Sequence, residues 1–219
     1  MGNARKKMAE NAAARAQVYG LLANIFRAEP ERTFLNEIKA PRFSGVFKDM
    51  GVDLGGAFYK MPEDQTVEEL GIEYTRLFLG PGPHISAHES IFADLDCGEG
   101  GLWGKKTVEV KKFIETAGFD YKTEFTGLPD HVSVELEFMQ RLAEAEADRW
   151  RRGETEKAFW CLGVEKKFIE EHLMKWVPDF CDEVIDKAAM PFYGEMAALT
   201  KNFMFFDQDQ VKECLRATA

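Results

Sequence analysis

Hydrophobic residues recur every three or four positions along most of this chain, which is the period of a helix that buries one face. Near the amino terminus the repeat falls on Val18, Leu21, Leu22, Ile25 and Phe26. Pro30 follows these residues and is a stop signal for a helix. The pattern therefore predicts an amphipathic helix that ends shortly before Pro30.

A second face with the same period lies further along the chain. It is formed by Val67, Leu70, Tyr74, Leu77 and Phe78. Asp64 or Thr66 is the predicted N-cap, because a short polar side chain there can accept a bond from a free backbone N–H group. The helix should end at about Leu79, because the Gly-Pro-Gly-Pro sequence that follows cannot continue it.

The segment 131–143 combines two periods. The alternating residues are Val132, Val134, Leu136 and Phe138, and alternation alone predicts a strand. The continuation MQRLAEAEA consists of strong helix formers, and the apolar residues also fit a helical face. We therefore predict a helix, preceded by Pro129 and capped by Asp130.

The remaining segments complete an all-helical pattern. Short helices or turns are expected at 43–64, and a helix at 107–118 that Gly118 ends. Longer helices are expected at 155–177, 179–189 and 191–206, with Pro178 and Pro191 as the breaks. The predicted fold is all-α, one compact multi-helix bundle without a sheet. One domain should span 1–219, with a candidate hinge at 119–130 that could permit exchange of segments between protomers.

Composition limits the partners. The chain has 219 residues with a net charge of −10, which disfavours nucleic acid and favours a basic partner. Its amino terminus lacks the features of a signal peptide, and no apolar run reaches the length of a membrane span. A cytoplasmic protein that is not embedded in a membrane is predicted, as a monomer or homodimer.

Catalytic motifs are absent from the sequence. There is no GxSxG, HExxH or GxGxxG pattern, which predicts that the chain is not an enzyme and holds no cofactor. The cysteines, Cys97, Cys161, Cys181 and Cys214, are too far apart for a zinc ribbon or a CxxC motif. They are predicted to be free and mostly buried thiols.

The stretch LFLGPGPHISAHES, residues 77–90, is the most unusual part of the chain. Its prolines lack the N–H donors that a phosphate-binding loop needs. His84, His88 and Glu89 could serve as metal ligands, but a site needs a third or fourth converging residue. We interpret the loop as a helix break beside a groove, in which His84 and His88 are incidental.

Two polar pairs lie on or beside the apolar faces. His131 and Glu135 are four residues apart on the predicted helix. They either satisfy each other or backbone groups of the neighbouring loop, or they line a groove between helices. The first, structural interpretation is favoured. Glu73 and Arg76 have the spacing of an ion pair, and an exposed pair of this kind contributes little to stability.

Several segments together resemble a known family. EYTRLFLGPG (73–82), the following ES (89–90) and LPDHVSVELEFM (128–139) are similar to signature segments of the TorD/DmsD/NarJ group. FIEEHLMKWVPDF (168–180) and PFYGEMAALTKNF (191–203) resemble its closing helices, and YGLLANIFRAEPE (19–31) its first helix. The resemblance covers nearly the whole chain and is nearest to TorD-like and DmsD-like members.

The resemblance implies a cytoplasmic chaperone for molybdenum-containing redox enzymes. Such a protein would bind the twin-arginine leader or the apo-form of a molybdopterin oxidoreductase, assist cofactor insertion and restrain premature export. Proteins that deliver the molybdopterin cofactor would be further partners. The resemblance places client binding on Glu73, Tyr74, Arg76, Leu77, Phe78, Gly80, Pro81, Gly82, Ser90, Pro129, Asp130, His131, Glu135 and Phe138.

The predicted binding mode is a helix in a groove. The apolar faces of 67–78 and 131–143 would form the walls, with Glu73, Asp130 and Glu135 as acidic flanks. Two alternatives stay open at this point. One is a metal-dependent hydrolase that uses His84, His88, Asp130 and His131, and the other is a permanent helical scaffold subunit of an enzyme complex.

Overall fold

The computed structural model describes residues 2–93 and 104–216, and within these ranges the chain is helical without a strand. The helices are α1 (Asn3–Arg27), α2 (Arg32–Lys39), α3 (Pro41–Asp49), α4 (Gly55–Lys60), α5 (Glu63–Tyr74), α6 (Glu89–Ala93), α7 (Lys105–Thr116), α8 (Tyr121–Glu124), α9 (Val132–Arg152), α10 (Thr155–Phe168), α11 (Met174–Lys187) and α12 (Pro191–Arg216). Wider π-helical turns, Thr75–Leu79 and Ile169–Leu173, follow α5 and α10. The all-α prediction is confirmed.

The chain divides into two compact units. The first unit comprises residues 1–27, 88–177 and 204–219, and the second comprises 28–87 and 178–203. The predicted hinge at 119–130 lies inside the first unit, and its role as a hinge stays a prediction, as does the assignment of 1–219 to a single domain.

In the first unit, α1 lies along α9. Leu22, Ile25 and Phe26 are buried as the periodicity predicts, and alanines occupy much of the remaining buried face of α1. Gly20 leaves room for a side chain of α9, because a Cβ atom there would come within 2.8 Å of the Gln140 side chain. The small residues therefore allow the two long helices to pack closely.

A buried charge cluster joins four helices of the first unit. Arg15 on α1 donates to Glu146 on α9 at 2.8 Å, and also to Glu165 on α10 and Asp207 on α12. The hydroxyl of Tyr19 donates to Asp207 Oδ2 at 2.6 Å. One guanidinium thus faces three buried carboxylates, an arrangement that the hydrophobic pattern does not indicate.

The second unit has an aromatic core. Tyr74 and Phe78 pack against Tyr193, with ring centroids 6.1 and 5.9 Å apart, and Phe78 also contacts Phe180. Phe58 stacks on Phe192 at 5.7 Å. The glycine-broken segment between residues 43 and 64 forms the short helices α3 and α4, as predicted.

The helix boundaries correct several predictions. Helix α5 starts at Glu63 without a side-chain cap, and neither Asp64 nor Thr66 is its N-cap. Thr66 is instead fully buried, and its hydroxyl lies 2.9 Å from the carbonyl of Pro62. His131, not Asp130, caps α9, because Ser133 N donates to the imidazole at 3.2 Å.

Pro178 does not break a helix but lies inside α11. Its neighbours Trp176, Val177, Phe180 and Cys181 are all fully buried. Proline removes one backbone bond, and the packing of these large side chains offsets that cost. Pro191 does start a helix, although α12 continues to Arg216 and is longer than predicted.

Candidate functional site

The predicted site residues divide between the two units. Glu73, Tyr74, Arg76, Leu77, Phe78, Gly80, Pro81 and Gly82 belong to the second unit. Ser90, Pro129, Asp130, His131, Glu135 and Phe138 belong to the first. The groove with walls from both segments therefore stays a prediction, and the geometry of each segment is described in its own unit.

In the second unit, the apolar members of the predicted site are core residues. Tyr74, Leu77 and Phe78 are buried, whereas Pro81 and Gly82 are exposed. The helix ends at Leu79 as predicted, and Ile85 N then donates to the carbonyl of Leu77 at 2.7 Å. The loop therefore folds back on the end of the π-helical turn.

Glu73 is not part of a surface ion pair, which corrects the interpretation from sequence. It is 4% exposed and accepts two hydrogen bonds of 2.7 Å from Arg76. Backbone N–H groups of Ala189 and Met190 donate to the same carboxylate at 2.6 and 3.3 Å. Burial alone would raise the pKa of Glu73, but these bonds outweigh it and lower the pKa. Glu73 thus anchors the turn between α11 and α12.

We expect Glu73→Ala to lower the free energy of unfolding by about 2–3 kcal/mol, because it removes charged hydrogen bonds and leaves buried N–H groups without an acceptor. Urea unfolding followed by circular dichroism measures the change. Glu69→Ala on the same helix is the control, since Glu69 bonds only to Gln65 among the described residues and its loss should cost less than about 0.5 kcal/mol. Equal effects of the two substitutions would contradict the anchoring role.

In the first unit, the residues after the loop pair with the start of α9. Glu89 N donates to the carbonyl of Asp130 at 2.9 Å, and Ser90 N donates to its carboxylate at 3.2 Å. The rings of His88 and His131 meet edge to face, with centroids 4.9 Å apart. His88 is therefore part of this contact and not incidental. His84 is exposed and lies in the other unit.

The pKa values of Asp130 and His131 in this contact both differ from their usual range. Burial alone would raise the pKa of Asp130, but the nearby His88 imidazole, 3.8 Å away, and the N–H bond from Ser90 outweigh it and lower the pKa to about 2. Burial and then the neighbouring His88 ring lower the pKa of His131 to about 4. A neutral His131 suits its role as a cap, because the Nδ1 atom must accept the N–H bond from Ser133.

Glu135 does not pair with His131, which corrects the favoured interpretation. It is fully buried and accepts a bond of 3.1 Å from Trp176 Nε1. Burial, followed by the negative charge of Glu89, raises its pKa well above the usual range. Glu89 is also fully buried and lies 2.8 Å from His172 Nδ1. The first unit therefore contains a buried carboxyl pair held by His172 and Trp176.

Phe138 and Pro129 are structural in this unit. Phe138 is fully buried and packs against Phe168 at 4.7 Å and against Phe119 at 5.6 Å. Pro129 is buried directly before the start of α9. Neither residue offers its side chain to a partner at the surface.

The metal-dependent alternative requires a cluster of side chains that can act as ligands. Among the described residues, no three His, Cys, Asp or Glu side chains are grouped so that they could hold a metal ion. Cys161 and Cys181 are buried free thiols and Cys214 is half-buried, whereas Cys97 lies outside the described residues. The metal-dependent alternative thus has no ligand set in the part of the chain that is described.

Each unit has an open groove on its surface. The groove of the first unit has a volume of about 700 Å³ and lies between α7 and α10, with Phe113, Trp160 and Val164 among its apolar lining. The groove of the second unit has a volume of about 420 Å³ and is lined by Glu29, Val67, Glu68, Gly71, Ile72 and Thr75. Both have an apolar surface with charged residues around it, which suits a peptide segment.

Comparison with known proteins identifies the family. Residues 49–182 match the sequence model of the nitrate reductase delta subunit family. The chain belongs to this family. The matched range contains both predicted site segments, whereas Arg15 and Asp207 of the buried charge cluster lie outside it.

Several known proteins resemble the chain over most of its length. The chaperone protein TorD of Psychrobacter sp. (strain PRwf-1) is 25% identical, covering 99% of this chain and 100% of its own. TorD of Vibrio cholerae serotype O1 (strain M66-2) is 23% identical over 93% of this chain and 94% of its own. A protein from Archaeoglobus fulgidus, described as a redox enzyme maturation protein, shares the fold with a TM-score of 0.53 and 20% identity, covering 93% of this chain and 95% of its own.

Some residues around the buried carboxyl pair of this family member were not predicted from its sequence. His172, Trp176 and Lys106 surround the buried carboxyl pair, with Lys106 Nζ 3.9 Å from Glu89 Oε1. Trp176 lies 41 positions from Glu135, and His172 lies 83 positions from Glu89. Lys106 lies 17 positions from Glu89, so no local period connects these residues. The π-helical turn that carries His172 was also not predicted, although such turns are frequent at functional sites.

None of the described helices is long and apolar enough to span a bilayer.

Proposed function

We propose that the protein is a chaperone for a molybdopterin-containing oxidoreductase. It would bind the twin-arginine leader or the apo-form of this client in the cytoplasm, assist cofactor insertion and prevent premature export. The observation that carries the proposal is the similarity to TorD chaperones over 99% of the chain. The names of these relatives support a role in holding a client and not in catalysis.

The geometry supports a peptide-binding role. Apolar grooves with charged borders can hold an amphipathic helix, which is one form that a leader peptide can adopt. The net charge of −10 attracts a basic leader over long range, so binding should weaken as salt is added. Buried members of the predicted set, such as Tyr74 and Phe138, would act by shaping the surface.

Calorimetry with synthetic leader peptides and with purified apo-enzymes tests the proposal. The candidates are the molybdopterin oxidoreductases encoded in the same genome. Binding to at least one leader or apo-enzyme, and dissociation once the cofactor is inserted, is the expected result. Failure to bind any of them would overturn the function.

A change at Asp130 tests the predicted client contact. We expect Asp130→Ala to weaken client binding several-fold, because the carboxylate orders Ser90 and the adjoining loop. Circular dichroism at neutral pH should keep its helical signal. If the substitution unfolds the protein, Asp130 has a structural role only, and His131→Ala gives an independent test of the same contact.

A permanent subunit is the alternative function, since the matched family is described as a reductase subunit. The two functions predict different compositions of the mature enzyme. A chaperone is absent from the mature enzyme, whereas a subunit co-purifies with it. Affinity purification of the mature client separates them.

A further inference from the structure

The groove of the second unit is acidic as well as apolar. Its charged lining residues are Glu29 and Glu68, whereas Val67, Ile72 and Gly71 supply an apolar surface. Ile72 is 63% exposed, which is unusual for an isoleucine in a helix that also contributes to a core. The groove therefore combines two features that a basic and apolar peptide segment would require.

The two carboxylates are open to a cationic partner. Among the described residues, neither Glu29 nor Glu68 forms a salt bridge. Thr75 Oγ1 donates to Glu29 Oε1 at 2.8 Å and so holds this carboxylate beside α5. The other oxygen, Glu29 Oε2, is 3.6 Å from the position that a Cβ atom on Gly71 would take. Glu29 thus lies against Gly71 of α5, which places its carboxylate at the edge of the groove.

The groove of the first unit has the opposite character. Lys106, Lys112 and Lys167 border it, and its two glutamates already pair with lysines: Glu109 lies 3.2 Å from Lys106, and Glu171 lies 3.9 Å from Lys167. A peptide with adjacent arginines would meet repulsion there. Charge complementarity therefore favours the groove of the second unit for a basic segment.

We propose that the groove lined by Glu29, Glu68 and Ile72 binds the twin-arginine stretch of the client leader. The arginines pair with Glu29 and Glu68, and the apolar residues that follow them lie on Val67 and Ile72. This inference rests on the proposed function and names the surface that would perform it. The residues of this groove differ from the predicted site residues, which did not include Ile72, Glu68 or Glu29.

The first test measures leader binding by calorimetry at low salt. The probe is a synthetic leader peptide with two adjacent arginines, compared with the same peptide carrying two glutamines instead. Wild-type protein that binds no leader peptide would overturn this inference, whereas the proposed function is overturned only if the apo-enzymes are not bound either. Wild-type binding allows the groove to be tested by itself.

Charge reversal then tests the glutamates. We expect Glu68→Lys to weaken binding about fivefold to tenfold, and Glu29→Gln to weaken it by about twofold to fivefold. Glu156→Lys is the matched control, since Glu156 is exposed on α10 of the first unit and its reversal makes the same change in net charge. Equal weakening by Glu68→Lys and the control would mean that only net charge matters, and it would overturn the site.

A double-mutant cycle identifies the contact. If Glu68 pairs with the leader arginines, Glu68→Gln should weaken the arginine peptide but leave the glutamine peptide almost unchanged. Ile72→Ser should weaken both peptides, whereas Val108→Ser, a similar change at a 47% exposed valine of the first unit, should weaken neither. Equal losses for both peptides in Glu68→Gln would contradict the arginine contact while the proposed function stands.

The same variants also test whether the groove binds a second copy of the chain. Size-exclusion chromatography should show the same oligomeric state for wild type, Glu68→Lys and Ile72→Ser. A dimer that dissociates in these variants while leader binding is unchanged would assign the groove to a second copy of the chain and overturn the inference.

Discussion

Replacing Arg15 by methionine is expected to cost about 3–5 kcal/mol of folding free energy, the largest loss from any substitution considered for this protein. The guanidinium donates to Glu146, Glu165 and Asp207, which are all buried. Methionine fills a similar volume but leaves the three buried carboxyl groups without the positive charge that stabilises their ionised members. The remaining negative charges then repel one another in a medium of low polarity.

Urea unfolding measures this loss. Arg27→Met is the matched control, because it makes the same substitution at the carboxyl-terminal end of α1, where Arg27 pairs with Glu137 near the surface. A partly exposed pair of this kind contributes less than about 1 kcal/mol. Equal losses at the two positions would contradict the role of the cluster in joining α1, α9, α10 and α12.

Stability should also fall as the pH rises, because the cluster holds more carboxylates than it can ionise. Burial raises the pKa of Glu165 from 4.5 to about 8 although the charge of Arg15 opposes the shift. A raised pKa means that the folded state retains a proton that the unfolded chain releases. The contribution is fully present below about pH 4.5 and is lost as the pH rises through about 8.

The expected size of this effect is about 2–3 kcal/mol between about pH 6 and about pH 9. Glu165→Gln should remove most of this dependence, since the amide oxygen still accepts a bond from Arg15 but carries no ionisable proton. Glu156→Gln, an exposed position on the same helix, should leave the dependence as it is in the wild type. Parallel stability curves for wild type and Glu165→Gln would show that the proton resides elsewhere in the cluster.

The local patterns of the sequence were sufficient for most helices. The period of three and four residues identified α1, and the helix-forming continuation after Phe138 outweighed the alternating pattern in α9. The Gly-Pro-Gly turn ended the helix at Leu79. These features depend on neighbours within a few positions, where intrinsic preferences and burial of one face act together.

The caps and the prolines were predicted less well. Thr66 and Asp130 are good N-cap residues, yet both side chains bond elsewhere, Thr66 to Lys39 Nζ and the Pro62 carbonyl, and Asp130 to Ser90. Pro178 stays inside α11 among fully buried neighbours. In each case a contact that forms only on folding outweighed a preference of about 1 kcal/mol or a few kcal/mol.

For the candidate site, too, the sequence identified the segments but not the contacts of individual residues. The segments that carry it, 73–82 and 128–139, were recognisable from their residues, and the family match contains both. The roles of individual polar residues were not, because Glu73 bonds to residues 189 and 190, Glu89 to His172, and Arg15 to Asp207. Helical periodicity reports which face of a helix is buried. It contains no information about which distant charge meets that face, since the partner is chosen by packing of the whole unit and by the cost of leaving a buried charge alone.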